Sequence, residues 1–238
     1  MALAAKVTEN TATENELLYL SKKFENSSPP EILRWANEYF GDSAALATGF
    51  GAEGCVLVGM LAEINPKARF FYLDTDLLFP ETYILRDTLE EKYKIKFEGK
   101  ATALSLAEQA EKYGERLWER DPDLCCRLRK VEPLKQMLSG LRGWITAIRR
   151  DQSPARAGAG IVEHDRKFGI VKINPLANWT RRDVWKYIFR NDVPYNPLHD
   201  KNYPSIGCLP CTSPIGTSEG ERSGRWRGKT KTECGLHQ

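Results

Sequence analysis

Apolar positions along this chain change period several times, and the changes divide it into short strands and amphipathic helices. From Glu31 to Phe40, Ile32, Leu33, Trp35, Ala36, Tyr39 and Phe40 recur at helical spacing behind Pro29-Pro30, a pair suited to a helix's first turn. Ala44 to Thr48 is a short apolar run that enters Gly49-Phe50-Gly51-Ala52-Glu53-Gly54, after which Cys55 to Ile64 reads as a buried helix. The same order returns: Arg69 to Leu73 predicts a strand ending in Asp74-Thr75-Asp76, and Pro80 to Tyr93 an amphipathic helix. Helices are further predicted over Leu104 to Tyr113, Leu124 to Leu138 and Asp183 to Arg190, the last capped by Thr180, and strands over Trp144 to Ile148 and Ile170 to Ile173. Alternation of this kind predicts an α/β protein with a parallel twisted sheet, flanking helices, and ligands beyond the carboxyl ends of the strands.

The ends differ from this middle. Residues 1–30 are polar and predict a loosely held N-terminal arm with one short helix; 31–213 form the α/β domain. Residues 214–238 are rich in Gly, Ser, Thr, Arg and Lys and predict a mobile C-terminal tail. The tail nevertheless carries Glu233-Cys234-Gly235-Leu236-His237, an apolar-flanked cysteine that a merely solubilising segment would not need.

Composition narrows the classes. Of 238 residues 41% are hydrophobic and 28% charged, which excludes collagen-like, wholly disordered and multi-span membrane chains. A formal charge of +3, from 35 basic and 32 acidic residues, gives no argument for nucleic acid as a partner, so any anion site must be local. No apolar run reaches the roughly 20 residues that span a bilayer, and Met1 to Ala12 lacks a signal-peptide core, so the expected setting is the cytoplasm with reduced thiols.

Four of the six cysteines fall in two pairs, Cys125-Cys126 and Cys208-x-x-Cys211. Four converging thiolates suit zinc or a cubane iron–sulfur cluster; an adjacent pair is unusual for zinc, and unmetallated thiols are the plain alternative. Cys55, followed by Val56, Leu57 and Val58, reads as a core residue. Cys234 follows Arg222, Arg225, Arg227, Lys229 and Lys231, surroundings that attract an anion and favour a thiolate, so it is the candidate nucleophile against a surplus surface thiol. The glycine turn at Thr48 to Glu53 could cradle phosphate or sulfate oxygens, although it is neither a P-loop nor a GxGxxG. Arg149 and Arg150 follow a predicted strand and could bind an oxyanion by bidentate bonds. His164 and His199 lack ligand spacing and read as structural.

Taken together, Cys125-Cys126 with Arg129 to Leu134, Arg149-Arg150-Asp151-Gln152-Ser153-Pro154, Tyr195 to His199, Ile206 to Thr212 and Glu233 to His237 resemble the assimilatory adenylylsulfate (APS) reductases, in matching order from about residue 40 to 237. The resemblance implies an adenine nucleotide α-hydrolase-like fold and a homo-oligomer. It implies a [4Fe–4S] cluster on Cys125, Cys126, Cys208 and Cys211, with Lys130 between cluster and substrate. It implies that Cys234 attacks APS to give an S-sulfocysteine and AMP, and that thioredoxin releases sulfite. Arg149, Arg150, Arg156, Arg222 and Arg225 become candidates for the phosphosulfate, while Gly49, Phe50, Gly51 and Glu53 together with Leu73, Asp74 and Thr75 would line the adenosine pocket. Asp76 and Ala147 stand where the family usually has glycine, a departure expected to narrow that pocket. A 3′-phosphoadenylylsulfate (PAPS) or dual reductase is the alternative within the class, although enzymes devoted to PAPS generally lack the four cluster cysteines. A tRNA-thiolating ATP pyrophosphatase would want a Ser-Gly-Gly-x-Asp-Ser loop that Thr48 to Glu53 does not supply, and a non-enzymatic zinc module would not need so long a core.

Overall fold

A computed structural model describes residues 13–237, so the first twelve residues of the arm and Gln238 lie outside the described residues. Six strands form one sheet: β1 (Ala44–Ala47), β2 (Arg69–Asp74), β3 (Phe97–Ala101), β4 (Gly143–Ile145), β5 (Val162–Asp165) and β6 (Ile170–Ile173). Their spatial order is β3-β2-β1-β4-β6-β5, with every pairing parallel except that of β5 with β6. The chain steps outward from β1 to β3 and then returns to place β4 on the other side of β1. This reversal opens a crevice beyond the carboxyl ends of β1 and β4, where ligands bind in open α/β sheets.

Alternate side chains of the central strands enter different layers, as the two-residue period of a strand requires. Leu46, Phe70 and Ile145 join the larger core with α2 (Pro29–Phe40), α3 (Ala52–Ile64) and α9 (Arg181–Arg190). Ala45, Phe71 and Trp144 join a smaller core under α8 (Glu132–Leu138), with Leu134, Met137 and Leu138. Helix α4 (Pro80–Tyr93) adds Leu85 and Leu89 to the larger core, while α5 (Leu106–Tyr113), α6 (Leu117–Arg120) and α7 (Pro122–Cys126) meet around Leu117, Cys125 and Leu128. No helix among the described residues is long and apolar enough to cross a membrane.

Three differences from the sequence reading have physical causes. The single helix expected over Leu124 to Leu138 is interrupted by a π turn at Arg127–Val131. Pro133 has no N–H to give the carbonyl four residues back, so the regular ladder cannot pass it. Strands β3 and β5 carry Glu98, Lys100, Glu163 and Asp165 at the two edges of the sheet, where charge protects against further pairing and removes the apolar signal. Helix α1 (Glu14–Lys23), within the expected arm, docks on β5: the Ser21 hydroxyl accepts from the Ile161 N–H at 2.9 Å, and Leu17 is buried.

Residues 214–237 hold no helix or strand beyond a bridge between Thr212 and Arg225, and they fold back over the crevice. Leu236 packs on the smaller core, and Trp226 is buried with its N–H donating to the Cys211 carbonyl at 2.9 Å.

Candidate active site

The glycine turn owes its shape to two close contacts. The Thr48 hydroxyl accepts from the Phe50 N–H at 2.9 Å, and Phe50 takes a positive φ of 58° while its ring is buried against Tyr72 and Phe97. A Cβ on Gly54 would collide with that same hydroxyl. The turn therefore delivers Gly51 as the N-cap of α3 and leaves Gly49, Gly51 and Glu53 facing a cavity of about 240 Å³. Just past the end of β4 come Thr146, Ala147 and Ile148; at the end of β2, Leu73 and the following Thr75; from the tail, Glu221, Arg222, Arg225, Cys234, Leu236 and His237.

The π turn points two consecutive cations inward. Arg129 is 1% exposed and bonds Gln109 at 2.7 Å, Asp76 at 2.8 Å and the Thr75 carbonyl at 3.0 Å. Lys130, its neighbour, lines the cavity among the thiols of Cys208, Cys234 and Cys126; burial alone would lower its pKa, but these sulfurs outweigh it and raise it. Burial likewise works to raise the Cys208 thiol, yet Lys130, the Thr75 hydroxyl 3.3 Å away and Arg225 hold it below its ordinary value. Cys125 is pushed up to about 12 and Cys211 to about 11, first by burial and then by the neighbouring thiols; Cys126 is raised by burial.

Those couplings show the two cysteine pairs facing one another across the end of α7 and the 208–211 loop. Among the described residues no three His, Cys, Asp or Glu side chains stand close enough to share one ion. A tetrahedral zinc site would need sulfurs only about 3.8 Å apart, from Zn–S bonds of about 2.3 Å. A cubane takes one thiolate at each of four irons and asks for a wider set, and a donor set made entirely of thiols suits it.

The expected phosphosulfate arginines divide. Arg156, Arg222 and Arg225 line the cavity. Arg149 and Arg150 do not: Arg149 is wholly buried and held by Glu53 at 2.9 Å, Glu221 at 3.1 Å and Asp151, while Arg150 turns outward to Glu25, Asn178 and the Ala159 carbonyl. Of the expected adenosine contacts, Phe50 and Asp74 stay out of the cavity; Asp74 accepts from the Tyr83 hydroxyl at 2.7 Å. Asp76, with φ 55°, turns to Arg129 instead of narrowing the pocket, whereas Ala147 does line it. Cys55 is fully buried, and burial pushes its thiol up, as a core residue's should be.

Among the lining residues without a role in the sequence reading, His237 and Trp144 stand together. His237 stacks on Trp144 with centroids 5.4 Å apart, and burial drives its pKa well down. Its Nδ1, the Trp144 Nε1 and the Arg225 Nε, all on residues that line the cavity, are buried without a protein partner. Only the motif ending in His237 hinted at this in the sequence.

A switch-point cavity with a glycine turn on one side and a thiol carried over it on the other defines an adenine nucleotide α-hydrolase-like α/β protein. The phosphoadenosine phosphosulfate reductase domain matches residues 43–214, and the chain belongs to that family. It is similar to an adenosine 5′-phosphosulfate reductase of Salinibacter ruber, 50% identical over 100% of this chain and 94% of that one. A phosphoadenosine 5′-phosphosulfate reductase of Gloeobacter violaceus is 46% identical over 94% of each chain. The crystal structure of a phosphoadenylyl-sulfate reductase from Candida auris in a phosphate complex aligns with TM-score 0.75 and 32% identity, covering 87% of this chain and 100% of that one.

Proposed function

We propose that this chain is an APS reductase, in which Cys234 takes the sulfonyl group from APS and a separate dithiol protein, thioredoxin, releases it as sulfite. The observation that carries the reading is the placement of Cys234 on the cavity that also holds the Gly49–Gly51 turn, Lys130 and Arg225. The turn's backbone and the α3 N-terminus receive the nucleotide end, and the cations receive the phosphosulfate. The Cys234 thiolate attacks the sulfur; an S–S bond forms, the S–O bond to the phosphate breaks, and AMP leaves with the electron pair. A thioredoxin thiolate then attacks the Cys234 sulfur, sulfite departs, and the second thioredoxin thiol closes the disulfide that carries away the oxidising equivalents. Cationic groups are required because a thiolate approaching a dianionic phosphosulfate is otherwise repelled.

Cys125, Cys126, Cys208 and Cys211 are the residues to hold a [4Fe–4S] cluster. Bound there, it would supply fixed charge beside Lys130 without passing electrons. The tail is mobile in this reading, opening to admit APS and then thioredoxin. A homo-oligomer in the cytoplasm is the setting that the resemblance implies.

Incubation with APS alone should add one SO3 group to the Cys234 peptide and release one equivalent of AMP. Cys234→Ser should still bind APS yet form no adduct and no sulfite; an adduct on Cys55 would overturn the mechanism. With thioredoxin, kcat/KM should favour APS over PAPS at least about tenfold, roughly 1.4 kcal/mol in transition-state binding. Equal or reversed preference would move the protein to the PAPS reading, which the Gloeobacter relative also represents.

A further inference from the structure

Among the described residues, the segment that brings Cys234 to the cavity has no helix or strand to hold it. Of its carboxylates, the one just before the cysteine is the most deeply buried. Glu233 is 5% exposed, accepts from Arg156 through Nε at 3.1 Å and Nη2 at 3.0 Å, and accepts from Arg222 Nη2 at 3.0 Å. Arg222 also donates to the Thr232 carbonyl at 2.9 Å, so one guanidinium grips both the backbone and the carboxylate beside the thiol. Both arginines line the cavity. On the far side Lys167 donates to the Gly235 carbonyl, Leu236 packs on the smaller core and His237 stacks on Trp144, so Cys234 is held from both directions.

From this arrangement we infer that Glu233 is a positioning residue: its carboxylate, bridging Arg156 and Arg222, sets the Cys234 sulfur against the bound substrate. Two guanidinium charges share one carboxylate, so a net charge of +1 remains on the cluster for the substrate anion. Closing the tail therefore does not consume the anion site. A buried charge-assisted bridge is also directional, and its two-pronged bond from Arg156 fixes the carboxylate plane where an apolar contact would let it slide. Because the attack needs sulfur and sulfonyl within about 3.5 Å and in line, a small displacement of this segment costs rate before it costs substrate affinity.

The inference rests on the APS reading and is separable from it. Rapid-quench AMP release with APS and no thioredoxin gives a saturating single-turnover rate and a half-saturating APS concentration. Glu233→Gln, which keeps the shape and removes the charge, should lower the saturating rate at least tenfold and leave half-saturation within threefold. Glu233→Asp, which keeps the charge, should return to within threefold of the wild-type rate. Without APS, Cys234 in Glu233→Gln should react with iodoacetamide at least fivefold faster than in the wild type, since the segment is released. A wild-type saturating rate in Glu233→Gln, a loss confined to half-saturation, an Asp variant no better than Gln, or unchanged alkylation would each overturn the inference. Failure of the wild-type protein itself to release AMP from APS would instead overturn the reading of its reaction, and the alkylation comparison would still decide the bridge.

Discussion

His199 shows how one residue's surroundings fix its chemistry. Its Nδ1 lies 2.8 Å from the Tyr203 carbonyl, so this nitrogen carries the proton, while Nε2 is buried without a partner. Burial lowers its pKa below 6.5, against the opposing pull of the Tyr203 carbonyl, then of Glu53 and Asp200. The unfolded chain then binds the proton more readily than the folded one, and the neutral form's contribution to stability is complete above about pH 6.5 and lost as pH falls below it. Urea titrations should give a folding free energy that falls from pH 7 to pH 5, with a shallower slope in His199→Gln. Gly207 makes a second single-residue case, because a Cβ there would collide with the Arg225 guanidinium. Gly207→Ala should displace that cation from the cavity and cut kcat/KM for APS by roughly ten- to a hundredfold, the loss of about 1.4 to 2.7 kcal/mol, with little change in melting temperature.

At the scale of elements, loops and edges carry what the central strands cannot. The β1 turn and the α3 N-terminus were legible, since an apolar run, a glycine cluster and a second apolar run leave few other arrangements. The π turn was not, because Leu124, Leu128, Val131, Leu134 and Leu138 keep helical spacing straight through it. Edge strands β3 and β5 were illegible for the opposite reason: they are held by backbone pairing, and the charged residues they carry, exposed or half-buried, make them look like loops. Helix α1 closes the β5 edge through Ser21. Ser21→Ala should leave the buried Ile161 N–H unpaired and cost about 1–3 kcal/mol in chemical denaturation, with little effect on activity.

For the whole molecule, the two cysteine pairs join the end of α7 to the loop that precedes the tail, and Cys208 lies beside both Lys130 and Thr75. A cluster on these four thiols would cross-link segments more than eighty residues apart in sequence and so fix the floor beneath the tail. Anaerobically purified protein should be brown and contain about four iron and four sulfide per chain. Cys208→Ser should lose both, together with much of the thermal stability. Stoichiometric zinc without sulfide would show that the thiols serve a different centre.

By itself the sequence determined the parallel α/β sheet, the glycine turn at the end of its first strand, the paired cysteines and the solitary Cys234, because these are set by local period and residue type. Only the tertiary structure decided which cations face the cavity. Arg149 and Arg156 are seven positions apart and equally basic in sequence, yet Arg149 is enclosed by Glu53, Asp151 and Glu221 while Arg156 meets the cavity and Glu233. Their partners lie up to 96 residues away, and a guanidinium's role is fixed by the carboxylates that reach it, which no local pattern records.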